Sequence, residues 1–222
     1  MKNPKKHWTD QHSAALAHVK SGLAVIDNVT GYVKAGAGKP STKERALFAA
    51  AIVFAYGVWE NYVEQLAIEL CKQLSNEILA DLVPSEVRKI LEKKNAWELT
   101  ISPGWRNLWC DLVNEKAVGG DSDKFGMNTA RAGSVRYLLS LAGVQDPFQG
   151  IDDNIVPAHL DPKLYKVTSA LDELVTLRGE IVHTGKVPDS LSKGHVSNWR
   201  NYVEKLISEV DSASLKQCKA LL

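Results

Sequence analysis

The chain has 222 residues, a length that suits one large domain or one domain with an insertion. Lysine and arginine number 27 against 26 aspartate and glutamate, so a net charge of +1 excludes an overall field that would attract DNA or an anionic membrane. With 45% hydrophobic and 24% charged residues, the composition excludes an intrinsically disordered chain.

The cysteines and the start of the chain bear on the cellular compartment. Cys71, Cys110 and Cys218 are widely spaced, which argues against a disulfide framework and a thiolate zinc site and favours reduced thiols. Residues 1–12 are polar and basic and lack the apolar run of a signal peptide. The longest apolar run, 46–58, is shorter than a membrane span needs. We therefore expect a cytoplasmic protein with no membrane partner.

The first part of the chain predicts two long helices. Apolar residues recur every three or four positions between Asp10 and Lys34, which predicts an amphipathic helix that ends at Gly31 or Gly36. A second helix is predicted from Thr42 to about Ser75, with Ser41 or Thr42 as its N-cap.

The second predicted helix is apolar over a wide arc, which is typical of a central helix with neighbours on several sides. Glu60 lies within one of its apolar stripes. A carboxylate there costs free energy unless it is paired or hydrogen-bonded. A buried structural ion pair is therefore one interpretation of Glu60, and a role in a functional site is the other.

The remainder of the chain is also predicted to be helical, with no convincing strand. The predicted helices are a short one from Pro84 to about Lys94, one that resumes after Gly104 and runs through Leu112, one over Thr129–Ala142, and two closing helices, Lys163–His183 and Ser192–Leu221. We predict a single domain over residues 1–222, in which an arm of approximately 76–151 is inserted into a bundle of the first two and last two helices.

Two loops match ligand-binding motifs only in part. In GAGKPST, residues 36–42, Pro40 follows the lysine and no strand precedes the segment, which excludes a phosphate loop. In residues 121–132, Phe125 occupies a calcium-ligand position and Ala132 stands where a bidentate glutamate is required. We therefore predict no metal and no cofactor.

The penultimate helix carries the most informative pattern. Its apolar stripe consists of Leu164, Val167, Leu171, Leu174 and Ile181. Arg178 occupies a position of that stripe where the pattern favours an aliphatic side chain. Because a guanidinium keeps its proton, Arg178 must meet a carboxylate, a carbonyl or a phosphate there, and Glu60 is the internal carboxylate candidate.

His183 follows Arg178 by five residues, which is about 140° around an ideal helix. Helix ends unwind, the last turn favours a protonated imidazole, and Gly179 leaves a groove between the two side chains. Two interpretations follow. Either Arg178 and His183 flank one anion-sized site, or Arg178 is a buried structural residue and His183 caps the helix.

Four stretches of the sequence, in chain order, resemble one known family. They are VWENYVEQL at 58–66, NTARAGSVRYLLSLAG at 128–143, LDELVTLR at 171–178 and RGEIVH at 178–183. The last of these matches the R-x4-6-H signature of the HEPN superfamily, and all four together resemble its RiboL-PSP-HEPN branch. The resemblance covers most of the chain, from the second helix to the last.

This resemblance implies an all-α fold, an HEPN-like up-and-down helical bundle that forms a homodimer with both R-x4-H motifs facing one cleft. Members are commonly metal-independent endoribonucleases of toxin–antitoxin, abortive-infection and RNA-processing systems, and others only bind nucleotides or RNA. His183 would then act on the ribose 2′-OH or the leaving oxygen, and Arg178 would hold the scissile phosphate. That Glu60 orients Arg178 is our own inference from the apolar stripe.

One position departs from the family pattern. Members usually carry a polar residue, often Asn, directly after the arginine, where this chain has Gly179. Glu180 is the next polar side chain, but it points elsewhere on the helix.

We expect a dimeric endoribonuclease of a toxin or antiviral-defence type, with RNA as substrate and a separate antitoxin or regulatory protein as a further partner. The alternatives are a non-catalytic module that binds RNA, nucleotide or a partner protein, and a structural helical adaptor. Trp97, Trp105 and Trp109 lie close together in the sequence and form a tryptophan cluster. Basic and aromatic side chains together bind single strands, so the candidates that could line an RNA groove with this cluster are Lys124, Asn128, Arg131 and Arg136. Core packing is the other interpretation of the tryptophans.

Overall fold

The structure is a computed structural model that describes residues 4–33, 39–93, 104–120 and 125–222. Within these ranges the chain forms seven α-helices and no strand, which confirms the predicted all-α class. The helices are α1 (Pro4–Gly31), α2 (Thr42–Glu77), α3 (Ser85–Leu91), α4 (Trp105–Val118), α5 (Ala132–Leu141), α6 (Val167–Thr184) and α7 (Lys193–Lys219). Short 3₁₀ turns cover Ala80–Leu82, Asp153–Ile155 and Pro162–Leu164.

Several features of the sequence analysis lie outside the described residues. They are Lys124, Trp97, residues 36–38 of the GAGKPST segment, and residues 121–123 of the rejected calcium motif.

The end of α1 and the start of α2 agree with the sequence prediction, whereas α1 begins at Pro4, before the predicted Asp10. α1 ends at Gly31 and α2 begins at Thr42, with Ser41 as the N-cap. The Ser41 Oγ accepts a hydrogen bond from the Glu44 N–H (3.3 Å), and the Glu44 carboxylate accepts one from the Ser41 N–H (2.8 Å). This reciprocal capping box satisfies backbone donors that a helix start leaves unpaired.

α6 begins at Val167 rather than at the predicted Lys163, because the chain before it is held in another conformation. The Asp161 carboxylate accepts from the Lys163 N–H (2.9 Å) and caps the 3₁₀ turn. The Asp153 carboxylate, from an earlier turn, accepts from the Val167 N–H (2.9 Å) and thereby satisfies a free donor at the start of α6.

The chain divides into two compact units. The first unit comprises Met1–Ala15, Val63–Gln149 and Val210–Leu222, and the second unit comprises Leu16–Tyr62 and Gly150–Glu209. The insertion of residues 76–151 as an arm within a single domain stays a prediction.

The second unit has a core rich in aromatic side chains. α2 buries Trp59 and Tyr62, and α7 buries Trp199 and Tyr202. The Tyr202 hydroxyl donates to the carbonyl oxygen of Val167 (2.6 Å), so α7 is joined to the first turn of α6. A polar tip that finds a partner is the usual condition for burying a tyrosine.

Contacts at Gly22 and Asp27 help to hold α1 against this core. Gly22 lies against α2 so closely that a Cβ at that position would be 2.5 Å from Cγ2 of Val58. Arg200 of α7 pairs with Asp27 of α1 (3.0 Å). The glycine therefore permits a close helix crossing that any larger side chain would disturb.

In the first unit, α4 and α5 are joined through a buried tryptophan. Trp109 has no exposed surface, and its Nε1 donates to the carbonyl oxygen of Leu141 (2.7 Å). The core-packing interpretation of this tryptophan is therefore the one that the structure supports.

α2 is long and apolar enough to cross a membrane by length and composition alone. Half of its most apolar 18-residue stretch is buried inside the protein. Phe48, Ile52 and Tyr56 are among the buried residues of this helix. The core helix of a soluble protein meets the same criterion, so this helix is weak evidence for a membrane span.

Candidate active site

The second half of α6 carries both residues of the R-x4-H motif. Ala170, Leu171, Leu174 and Val175 are buried along the preceding turns, and Ile181 is buried in the turn that follows Arg178. Arg178 lies between these apolar positions and is itself half-buried. The buried residues before and after Arg178 thus fix its position along α6 and the side of the helix on which it lies.

The guanidinium of Arg178 faces an aromatic ring. Its Cζ lies 5.1 Å from the ring centroid of Tyr56 on α2, which is a cation–π contact. The Nε is buried and has no hydrogen-bond partner within the described part of the chain. A buried donor without a partner is costly, and it marks Arg178 as a cation with an unused hydrogen-bonding position.

Glu60 is held by Tyr56 and not by Arg178. The Tyr56 hydroxyl donates to Oε1 of Glu60 (2.5 Å), one helical turn along α2. Tyr56 is buried and Glu60 is half-buried. The direct Arg178–Glu60 contact expected from the apolar stripe is absent from the described residues. Tyr56 contacts both side chains instead.

Tyr56 is the site residue that sequence reasoning missed. The sequence places it on an apolar stripe of α2, where an aromatic residue is usually interpreted as core. The signal that could have found it is the spacing of Tyr56 and Glu60, since residues four apart are neighbours on a helix surface.

His183 is exposed in the last turn of α6. α6 remains helical through Thr184 and is stopped by Gly185, whose φ of +66° is the left-handed conformation that glycine adopts without strain. The Thr184 Oγ1 donates to the carbonyl of Glu180 (2.6 Å), and the Gly185 N–H donates to that of Ile181 (3.0 Å). These bonds keep the last turn regular, so the unwinding considered from the sequence does not occur and His183 stays about 140° from Arg178.

Gly179 and Glu180 lie between the two motif residues. A Cβ added at Gly179 would meet no atom within 4 Å, so the position is open. Gly179 precedes His183 by four residues and therefore lies on the same side of α6. Glu180 is exposed and precedes His183 by three residues. Around the axis of α6, Gly179 is about 40° and Glu180 about 60° from His183, so both positions face the side of His183 rather than that of Arg178.

The loop after His183 is tied to the start of α2. Arg45 donates to the carbonyl oxygen of Val187 and pairs with Asp189 (2.6 Å). A surface cavity of about 710 Å³ lies beside this contact and reaches Glu180 and Lys186. A surface cavity therefore lies beside the C-terminal end of α6, and the contacts of Arg45 hold the loop that follows this end.

The RNA-binding candidates belong to the first unit. Arg136 pairs with Asp146 (3.2 Å), and its Cζ lies 5.1 Å from the ring centroid of Phe148. Arg131 is half-buried at the N-cap of α5, and Asn128 is exposed. Arg136 is exposed despite its pairing, so its charge is shared with Asp146 at the surface.

The first unit also presents Trp105 at its surface. Trp105 is half-buried, and the Cζ of Arg106 lies 4.5 Å from the centroid of its ring. A half-exposed aromatic with a stacked arginine is a feature that can bind a nucleobase, whereas the neighbouring Trp109 is entirely core.

No group of three or more His, Cys, Asp or Glu side chains that could hold a metal ion occurs among residues 4–33, 39–93, 104–120 and 125–222. What the site offers is one arginine with an unused hydrogen-bonding position and one exposed histidine on a single helix. This pair of groups can bind a phosphate and transfer a proton.

The sequence model of RiboL-PSP-HEPN matches residues 26–216, which is most of the chain. The chain belongs to the RiboL-PSP-HEPN family. No curated protein and no solved structure matches the chain.

Membership in the RiboL-PSP-HEPN family gives the coarse function. HEPN domains act as RNases or as nucleotide-binding modules, and they often bind RNA and form dimers. The matched span includes Glu60, Arg178 and His183.

Proposed function

We propose that this RiboL-PSP-HEPN protein is a metal-independent endoribonuclease of a toxin or antiviral-defence type. Cleavage would use the RNA's own 2′-OH, at a site that two copies of the chain form together. The observation that carries the proposal is Arg178, half-buried on Tyr56 with no ion pair in the described chain, on the same helix as the exposed His183.

In this mechanism the 2′-oxygen attacks the adjacent phosphorus, and the 5′-oxygen of the next nucleotide leaves. His183 takes the proton from the 2′-OH or gives one to the leaving oxygen, since an imidazole exchanges protons near neutral pH. Arg178 donates two hydrogen bonds to the phosphate oxygens and stabilises the charge that develops there. The products are a 2′,3′-cyclic phosphate and a free 5′-hydroxyl, and DNA is not cut because it has no 2′-OH.

The helical geometry favours a site shared by two copies. Arg178 and His183 are about 140° apart and about 7.5 Å along α6, so a single helix presents them in different directions. When two copies face each other, Arg178 of one chain can meet the same phosphate as His183 of the other. This arrangement explains how two residues on different faces serve one reaction.

An exposed apolar face of α2 supports the proposed homodimer. The exposed positions recur every three or four residues from Lys43 to Asn61, and the four between these two polar ends, Ala46, Ala50, Phe54 and Gly57, carry no polar side chain. Phe54 keeps 46% of its surface accessible. The small residues around it allow another helix to approach closely, and burying exposed apolar surface drives association. Glu60 lies about 60° from Gly57 around α2, so this face borders the candidate active site.

A second candidate function is a non-catalytic module that binds RNA, nucleotide or a partner protein. Gly179 favours it, because the family's usual polar residue next to the arginine is missing. The half-exposed Trp105 with Arg106 also suits a binding surface. A cytoplasmic location and a separate antitoxin or regulator remain part of either proposal.

The deciding experiment is incubation of purified protein with mixed RNA in excess EDTA. We expect the wild type to produce fragments with cyclic-phosphate ends, and His183→Ala to lose at least about a hundredfold in rate, the usual contribution of a proton-transferring histidine. His18→Ala is the matched control, since His18 is another exposed histidine, on α1. Absence of cleavage by folded, dimeric wild type would favour the binding module instead.

Mixing two inactive variants tests the shared site. A heterodimer of Arg178→Ala and His183→Ala subunits contains one pairing in which both residues are intact, if each site takes one residue from each chain. We therefore expect the mixture to recover part of the wild-type activity. A mixture that stays as inactive as the separate variants would show that each chain uses its own two residues.

A further inference from the structure

Two cysteines from different helices meet inside the first unit. The Sγ of Cys71 on α2 lies 3.8 Å from the Sγ of Cys110 on α4. Cys71 is buried and Cys110 is partly accessible. A disulfide bond is about 2.0 Å long, so the two sulfur atoms are in contact but not bonded, and an approach of roughly 1.8 Å would join them.

The helices that carry the two thiols are fixed to each other at this point. The Nε of Arg106, one turn before Cys110 on α4, donates to the carbonyl of Ser75 on α2 (2.5 Å). The Ser75 Oγ is also 3.3 Å from the Sγ of Cys110. Because backbone and side-chain contacts hold α2 and α4 together, the two sulfur atoms stay adjacent rather than meeting by chance.

The two sulfur atoms are not equivalent in chemistry. The Cys71 thiol donates a hydrogen bond to the Cys110 sulfur and lowers the pKa of Cys110 below its ordinary value. The hydroxyl of Ser75 and the charge of Lys72 act in the same direction, against burial and Asp111. Burial, by contrast, raises the pKa of Cys71.

This asymmetry assigns a role to each cysteine. Cys110 is the accessible sulfur with thiolate character, which is the nucleophilic form that attacks peroxides. Cys71 is the inaccessible thiol next to it, in the position of a resolving cysteine. Cys218 differs from both, because it is buried in α7 and burial raises its pKa to about 12.

We propose that Cys71 and Cys110 are a peroxide-reactive thiol pair that oxidises to an intramolecular disulfide between α2 and α4. In the first step the Cys110 sulfur attacks one oxygen of hydrogen peroxide, the O–O bond breaks, and Cys110 sulfenic acid and water result. In the second step the Cys71 sulfur attacks the sulfenic sulfur, and the S–O bond breaks. The Cys71 proton leaves with the hydroxide as a second water, so peroxide is reduced and two thiols are oxidised.

The test treats the reduced, full-length protein with hydrogen peroxide, alkylates the remaining thiols and maps the digested peptides by mass spectrometry. We expect a cross-linked peptide that contains Cys71 and Cys110, a mass lower by two hydrogen atoms, and Cys218 still alkylated. The cross-link closes a loop between residues 39 apart, so the thermal midpoint should shift upward on oxidation.

Two variants make the outcome decisive. Cys218→Ser should form the cross-link like the wild type, and Cys110→Ser should not form it. In Cys71→Ala, the sulfenic acid on Cys110 should persist and react with dimedone. Circular dichroism verifies the helical fold of each variant. If Cys71→Ala does not fold, the comparison of cross-link formation in the wild type and in Cys110→Ser still tests the proposal.

Three results would overturn the proposal. They are a cross-link that involves Cys218, a wild-type Cys110 that proceeds to sulfinic acid without any disulfide, and retention of all three free thiols after peroxide treatment. None of these results depends on RNA cleavage, so the thiol chemistry and the proposed function succeed or fail separately.

Discussion

The guanidinium of Arg178 lies over the ring of Tyr56, with its Cζ 5.1 Å from the ring centroid. A ring face attracts the cation without occupying the N–H edges, whereas a carboxylate would bind those edges directly. The Tyr56 hydroxyl meanwhile holds Glu60 (2.5 Å). Tyr56 thus contacts both the cation and the anion, and this arrangement leaves the guanidinium without a carboxylate partner in the described chain, as the proposed phosphate binding requires.

The first prediction concerns the Tyr56 hydroxyl. Tyr56→Phe keeps the ring under Arg178 but releases Glu60, which can then pair with the guanidinium and compete with RNA. We expect KM for RNA to rise about three- to tenfold with a smaller change in kcat, the range that one net hydrogen bond corresponds to. Steady-state cleavage of a short fluorescent RNA measures both constants.

Adding Glu60→Gln to Tyr56→Phe distinguishes this role of the Tyr56 hydroxyl from a general loss of structure. Tyr56→Phe combined with Glu60→Gln should return KM toward the wild-type value, because the competing carboxylate is gone. If the double variant is as weak as Tyr56→Phe alone, then Tyr56 does not act by holding Glu60 away from Arg178.

The second prediction concerns Gly179. Because a Cβ there meets no atom within 4 Å, Gly179→Ala should stabilise α6 by about 0.5–1 kcal/mol through its better helix propensity, with little effect on cleavage. Gly179→Asn places an amide one turn before His183, and we expect it to raise the cleavage rate. Urea unfolding and RNA cleavage measure the two effects. A rise in rate for Gly179→Ala equal to that for Gly179→Asn would assign the gain to stability alone.

The fold could be predicted from the sequence where local rules decide. The glycine that ends α1 and the capping box of Ser41 and Glu44 are both visible in the sequence, and the structure has them. The start of α6 could not be predicted, because Asp153 reaches forward 14 residues to the Val167 N–H. A contact of that span depends on tertiary packing and leaves no periodic signal.

The candidate site shows the same limit. Arg178 stood out as a cation at an apolar position, and that position is indeed flanked by buried residues. The residue that contacts Arg178 could not be predicted from the pattern, since Tyr56 and Glu60 lie on the same apolar stripe of α2. Periodicity gives the face of a helix, but which of two neighbours on that face contacts the arginine depends on rotamers and exact helix position.

The third prediction concerns the proposed dimer. Phe54 is exposed on α2, so Phe54→Asp should leave the monomer's fold and thermal midpoint nearly unchanged. A buried carboxylate at a helix–helix contact is unfavourable, so the variant should sediment as a monomer and lose cleavage. Leu79→Asp is the control, because Leu79 is also an exposed apolar residue (68%) but lies outside that face. A dimeric Phe54→Asp protein would exclude this face of α2 as the interface.

The fourth prediction concerns pH and the stacked histidines of the second unit. The ring of His159 lies parallel to that of His195, with centroids 4.3 Å apart, and Trp199 meets it edge-on. The amide nitrogen of Asn198 lies 3.2 Å from its Nδ1, where a protonated ring could no longer accept a hydrogen bond. Burial and the neighbouring His195 lower the pKa of His159 from 6.5 to about 4.

The direction of the pH effect on stability follows from the difference in the pKa of His159 between the folded and the unfolded chain. Between pH 6.5 and about 4 the unfolded chain carries a proton on His159 while the folded protein does not, so acid favours unfolding. The contribution to stability is complete above pH 6.5 and is lost as the pH falls through this window. His159→Phe keeps a ring on His195 but cannot titrate, so its urea midpoint should fall less between pH 7 and pH 5 than that of the wild type. His18→Gln, at an exposed histidine, should behave like the wild type. Equal losses in the wild type and His159→Phe would mean that other groups account for the acid sensitivity.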